Sequence, residues 1–217
     1  MKDYVVSVDL GQSMDYSALT VLHRCWWRKG EKPLPDTARL WHAVEMLIRW
    51  PLGTPYPKIV QNIVETVHYV QTVSQNGDRG VALVVDQGGP GRPVIDLLKR
   101  EGVRPIGITI TSGETVSQRP DNSMTCPKRD ICSALIVAAQ SGDVKVASKL
   151  ELAPELEKEI ASFGYTVKRK SREIGYEALV DEVHDDLVVS AAMGLWYSTT
   201  ILPRTFVGGS AMADVDP

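Results

Sequence analysis

The sequence predicts an α/β fold in which a sheet of antiparallel and parallel strands is flanked by helices. Three observations carry this. Three β-favouring runs follow one another near the start with short links, as in an antiparallel meander. A strand–helix–strand unit of about 30 residues then spans Val81 to Ile110 and implies a parallel crossover. Beyond Thr125 the apolar spacing is mostly that of helices.

The first run, Tyr4-Val5-Val6-Ser7-Val8, is apolar and β-branched, and it ends on a carboxylate, Asp9. Gly11 and its small polar neighbours read as a turn. Ala18 to Leu22 is the second strand. His23 to Gly30, basic and aromatic, is expected as a hairpin tip with Trp26 and Trp27 packed on the sheet. Ala38 to Leu47 is the third strand, and Pro51 to Pro57 a linker. Pro57 suits a helix start. Ile59, Ile63, Val67 and Val70 recur at helical spacing, so Lys58 to Val73 is an amphipathic helix.

Asn76 to Gly80 is a turn. Val81 to Val85 is a continuous apolar run, as in a strand buried on both faces, and it too ends on an acid, Asp86. Gln87 to Gly91 is a sharp loop that clears space around Asp86. Helix Pro93 to Glu101 stops at Gly102, and Val103 to Ile110 is a further strand. Thr111 to Thr125 reads as a long polar surface loop. A helix over Pro127 to Ser141 carries Ile131, Leu135 and Ala138 on one face. Val144 to Val146 is a short strand, and Leu152 to Ser162 a helix bearing Glu155, Glu157 and Glu159. Tyr165 to Arg172 is strand-like and strongly basic, with Gly175 to Ala178 pairing back as a hairpin. His184 opens the last helix, which ends near Thr199. Residues 1–200 are expected to form one domain and 201–217 a flexible tail.

Composition narrows the function. The chain has 217 residues and a hydrophobic fraction of 43%, that of an ordinary globule. No run of about 18 apolar residues occurs, so no transmembrane helix is predicted. The start lacks a basic n-region and an apolar h-region, so no signal peptide is expected. Three cysteines without a CxxC pair speak against a disulfide framework or a structural zinc site. A net charge of −3 speaks against a globally basic nucleic-acid binder, but not against a local basic groove. His23, His42 and His68 are expected to be structural or exposed.

Taken singly, each acid has an ordinary reading. A strand-terminal Asp caps turns, and an Asp-Asp pair opening a helix is a common N-cap. Their order along the chain suggests more. If the first strand lies beside Val81 to Val85, Asp9 and Asp86 are neighbours at about 5 Å. The last helix would then bring Asp185 and Asp186 over them. No lysine is expected nearby, so the converging carboxylates need a counter-cation. Oxygen ligands of this kind favour Mg²⁺ or Mn²⁺. Two such ions about 3.5–4 Å apart make a phosphodiester hydrolysis centre. Lys168, Arg169, Lys170 and Arg172 precede the last acids, where a DNA strand needs phosphate contacts; a solvated hairpin edge is the plainer reading. Lys128 and Arg129 oppose the dipole of the helix they open, which a phosphate partner would explain.

Val6 to Leu19 (VSVDLGQSMDYSAL), Val84 to Leu98 (VVDQGGPGRPVIDLL) and His184 to Trp196 (HDDLVVSAAMGLW) together resemble the RNase H-like, or retroviral-integrase, nuclease fold. More narrowly, they are similar to the C-terminal nuclease domain of tailed-phage large terminase subunits. The resemblance covers roughly Asp3 to Thr199. It implies a metal-dependent endonuclease cutting concatemeric viral DNA during genome packaging in the cytoplasm of a bacterial host. Asp9, Asp86, Asp185 and Asp186 would be the catalytic metal ligands for two Mg²⁺ or Mn²⁺ ions, with Asp186 the main third ligand and Asp185 shared or outside it. Asp15 would brace the first loop, and His184 would orient a carboxylate or water. Double-stranded DNA, a portal, a small terminase subunit and an ATPase motor domain would be partners, and a membrane would not. No GxxxxGK motif occurs, so motor activity is not expected in this chain. Two alternatives stand beside this. One is a RuvC-like Holliday-junction resolvase acting as a dimer. The other is an actin- or sugar-kinase-like nucleotide-binding domain, whose first phosphate loop Asp9-Leu10-Gly11 also matches. A non-catalytic packaging adaptor is disfavoured by the intact acids.

Overall fold

The expected meander opens the chain: β1 (Tyr4–Asp9), β2 (Ser17–Trp27) and β3 (Arg39–Trp50) pair antiparallel in sequence order. The computed structural model describes residues 2–11, 15–27, 39–167, 174–178 and 184–202. Helix α1 (Tyr56–Val73) follows, then β4 (Val81–Asp86), α2 (Gly91–Arg100) and β5 (Ile106–Thr111). Next come β6 (Ser117–Gln118), β7 (Met124–Pro127), α3 (Lys128–Ser141), β8 (Val144–Val146) and α4 (Ala153–Ser162). A separate hairpin, β9 (Phe163–Val167) with β10 (Ile174–Ala178), precedes α5 (Asp186–Trp196), which ends in a π-helical turn over Tyr197–Ile201.

Among the described residues, eight strands form one sheet in the order β6-β7-β5-β4-β1-β2-β3-β8. The pairings β1–β4, β4–β5, β5–β7 and β3–β8 are parallel. This is the mixed sheet of an RNase H-like fold.

The central strands are buried on both faces, and alternate side chains feed two cores. Tyr4, Val6 and Val8 of β1 join Val81, Leu83 and Val85 of β4 against α1 and α2. Val5 of β1, Ala82 and Val84 of β4, and Ala18 and Leu22 of β2 pack on the opposite face with α3 and α5. Helix α5 is apolar almost all round and buried along its length, as a helix wrapped by core must be. Gly194 lets it lie close on the sheet. A Cβ there would stand 2.8 Å from Leu22 Cδ1 and 3.0 Å from Ser7 Cβ.

Three expectations are corrected. The stretch from His23 is not a hairpin tip. Strand β2 runs on to Trp27, because Arg24 is buried and His23 stacks on Tyr4 at 4.4 Å between ring centroids. Thr111 to Thr125 is not wholly loop. Residues 112–122 are exposed, but Met124 and Cys126 are buried and extend the sheet as β7. Strand β3 continues past Leu47 to Trp50, whose indole Nε1 donates to Asn62 Oδ1 at 3.0 Å on α1. The expected tail lies outside the described residues beyond 202.

Candidate active site

The two-residue period of a strand decides where the acids point. Val5, Ser7 and Asp9 share one face of β1, and Ala82, Val84 and Asp86 share one face of β4. Val5, Ala82 and Val84 pack in the core under α5, so Asp9 and Asp86 are carried to the α5 side. Val8 pairs with Val85 across the parallel ladder, and the next step on each strand is its acid. Helix α5 begins at Asp186 on the same side of the sheet. The fold therefore brings Asp9, Asp86, Asp185 and Asp186 into one electrostatic neighbourhood.

Three of the carboxyls are held above their ordinary values, each mainly by burial. Surrounding protein first, and then the charges of Asp86, Asp186 and Asp185, hold Asp9 well above the usual carboxylate range; Lys128 pulls the other way. Burial raises Asp86, against the backbone N–H groups of Gly88 and Gln87. Gly88 N donates to Asp86 Oδ1 at 2.8 Å. The glycine loop does clear space here, since a Cβ on Gly91 would collide with the Asp86 carbonyl oxygen. Asp186 is pushed up to about 6, by burial first, relieved by Arg49 and His184 and reinforced by Asp185 and Asp15. It is 5% exposed, and its Oδ2 has no hydrogen-bond partner among the described residues.

Contrary to the expectation from sequence, a lysine does stand nearby. The first residue of α3, Lys128, brings its Nζ to 3.9 Å from Asp185 Oδ2. Arg129 is turned aside to its neighbour Asp130 at 3.2 Å. Lys168, Arg169, Lys170 and Arg172 lie outside the described residues. The side chain of Asp15 is exposed. His184 is exposed too, with its ring edge-on to Tyr16 at 4.7 Å. His42 is buried and shares the Ser198 hydroxyl at 2.7 Å, and His68 is exposed, as a structural or surface role requires.

Sequence reasoning missed Arg49 and Glu159. The register Asp9↔Ala18↔Arg49 sets Arg49 in the same cross-strand row as Asp9, with only the small Ala18 between them. Asp185 occupies the N-cap position of α5 but makes no side-chain cap bond. The cap comes from α4 instead, where Glu159 Oε2 accepts from Val188 N at 2.8 Å. The same carboxylate pairs with Arg49. A signal existed, because Ala153, Leu156 and Glu159 fall at three-residue steps on the buried face of α4, so an acid sits on an apolar stripe.

Among the described residues, no three His, Cys, Asp or Glu side chains are drawn together into a ready-made metal cage. The donor chemistry nonetheless fits a hard divalent cation. Asp9, Asp86 and Asp186 each resist carrying a charge in this setting, and Asp186 presents a buried, unpartnered oxygen. Asp9, Asp86 and Asp186, with Asp185 at the rim, are the residues that could hold one.

No protein-family model matches the chain, and no curated protein matches it. Solved structures do share its fold. The large terminase nuclease from thermophilic phage G20c superposes with a TM-score of 0.58 at 19% identity, over 90% of this chain and 81% of that one. The human cytomegalovirus terminase nuclease domain, soaked with Mn, gives a TM-score of 0.52 at 12% identity, over 91% of this chain and 84% of that one.

Proposed function

We propose that this chain is a divalent-metal-dependent endonuclease of the terminase type, cutting concatemeric viral DNA during genome packaging in a bacterial host. The observation that carries this reading is the position of Asp9 and Asp86 at the tips of adjacent parallel strands, where Asp9 also feels the charges of the acids that open α5. The shared fold with terminase nuclease domains agrees with it.

In this reading Asp9, Asp86, Asp186 and Asp185 would hold Mg²⁺ or Mn²⁺, two ions in the full site. When bound, such ions supply activation of water and charge relief at the leaving 3′ oxygen. The protein's own groups do the rest. The glycine loop keeps bulk away from Asp86 and orients its carboxylate through Gly88 N. Lys128, placed at the rim beside Asp185, meets the phosphate backbone once DNA arrives. Arg129 and the basic run Lys168, Arg169, Lys170 and Arg172 track the same duplex. A portal, a small terminase subunit and an ATPase motor would present that duplex to residues 1–200, the nuclease domain. Among the described residues no helix is long and apolar enough to cross a membrane.

The test is conversion of supercoiled plasmid to nicked and linear forms with Mn²⁺, Mg²⁺ or EDTA, for wild type and Asp86→Ala. Cutting that needs the metal and falls at least about a hundredfold in the variant is expected, since a metal ligand is lost. Equal cutting by a folded Asp86→Ala protein, or cutting that persists in EDTA, would refute the reading.

A further inference from the structure

An arginine near a buried, unpartnered carboxylate oxygen ordinarily closes a charge-assisted, often bidentate pair with it. Arg49 does not do so with Asp186. It supplies the strongest favourable charge acting on that carboxylate, yet its Nη2 is paired with Glu159 Oε1. Its guanidinium carbon lies over the Tyr16 ring, 5.3 Å from the centroid. Glu159 is 3% exposed and held in place by a second job, accepting from Val188 N at 2.8 Å at the start of α5. The Arg49 side chain is 17% exposed, so it has little solvent to escape into. Asp186 Oδ2 meanwhile stays without a hydrogen-bond partner among the described residues.

We infer that Glu159 is a positioning residue that draws Arg49 away from Asp186 and so keeps Asp186 Oδ2 open to a divalent cation. The inference rests on the reading of Asp186 as a metal ligand. Two buried anions compete for one guanidinium. The competitor outside the site is the one fixed by a backbone bond, so the arginine stays there. If Glu159 loses its charge, Arg49 turns to Asp186 and occupies the oxygen that the metal needs.

Calorimetric titration with Mn²⁺ tests this without DNA or turnover. Glu159→Gln keeps an oxygen for Val188 N, removes the charge and puts an amide NH₂ where Oε1 faces Arg49. Its Mn²⁺ affinity is expected to fall about tenfold or more, the usual scale for a residue that orients a metal ligand. Arg49→Met, and Arg49→Met combined with Glu159→Gln, are expected to bind at least as tightly as wild type, because the competing cation is gone. Wild-type affinity in folded Glu159→Gln would overturn the inference. So would weakened binding in folded Arg49→Met, or a loss in Glu159→Gln that the added Arg49→Met does not restore. A wild type that takes up no Mn²⁺ would instead overturn the reading of the acids, and this inference with it.

Discussion

Asp186 shows what the site costs the fold. Its carboxyl is pushed up to about 6, by burial first, while in an unfolded chain it titrates at its ordinary value near 4. The folded protein therefore binds that proton more tightly than the unfolded one. Stability is fully present below the unfolded pKa and falls as pH rises from about 4 through about 6. Asp186→Asn removes the charge. It is expected to stabilise the metal-free protein at pH 7.5 by on the order of 2 kcal/mol, and to change little at pH 3.5. Urea unfolding at the two pH values measures this, and equal effects at both would contradict it. The positions of Asp9 and Asp86 at strand tips and of the Asp pair at the start of α5 were legible because each closes or opens an apolar run whose direction is fixed by periodicity. Lys128 was legible only as an oddity at a helix start. Its approach to Asp185 depends on how α3 lies beside α5, which no local pattern encodes.

At the scale of elements, α5 does most to join fold and site. Its first turn carries the acids, and its far end passes into a π-helical turn that holds Ser198 in the core. That hydroxyl accepts from Arg24 Nε at 2.9 Å and shares a hydrogen bond with His42 Nε2 at 2.7 Å. Ser198→Ala withdraws it from two buried groups, and is expected to cost about 1–3 kcal/mol in urea unfolding. A loss under about 0.5 kcal/mol, the scale of a neutral surface change, would show that the network does not brace the helix. The extent of β2 illustrates what local pattern hides. His23, Arg24 and Trp26 look like surface residues, yet Arg24 is internal because Ser198 and the Lys2 carbonyl lie 170 or more and about 20 residues away to receive it. The cap of α5 was hidden for the same reason: Glu159 reaches it from another helix.

For the molecule as a whole, the middle of the sheet was legible in the sequence and its margins were not. Three sequential β-favouring runs suggest the meander, and the strand–helix–strand unit implies the parallel β4–β5 pair; the β1–β4 pairing, a condition in the sequence, is what the structure supplies. The three peripheral strands, β6, β7 and β8, were harder. Strand β8 pairs with β3 over three residues, β6 is two residues long, and β7 emerges from polar surroundings, so none has a pattern long enough to assign its partner. The repulsion gathered at one end of this sheet also makes a global prediction. A cation bound there stabilises the native state by mass action, by about 2.7 kcal/mol at a hundred times its dissociation constant. Mn²⁺ at that excess is expected to raise the melting temperature by roughly 5–10 °C, and Asp9→Asn is expected to abolish the rise. A wild-type melting temperature indifferent to Mn²⁺ would contradict it.

Helix α5 is anchored at both extremities, by Glu159 at Val188 and by Arg24 and His42 at Ser198. In mechanical terms it is a clamped beam about 16 Å long. A beam held this way bears load but does not slide along its axis. The position of Asp186 along the sheet is then set by the frame. On the proposed reading, any change in carboxylate spacing as a cation binds has to come from side-chain rotation, or from the glycine loop that follows Asp86.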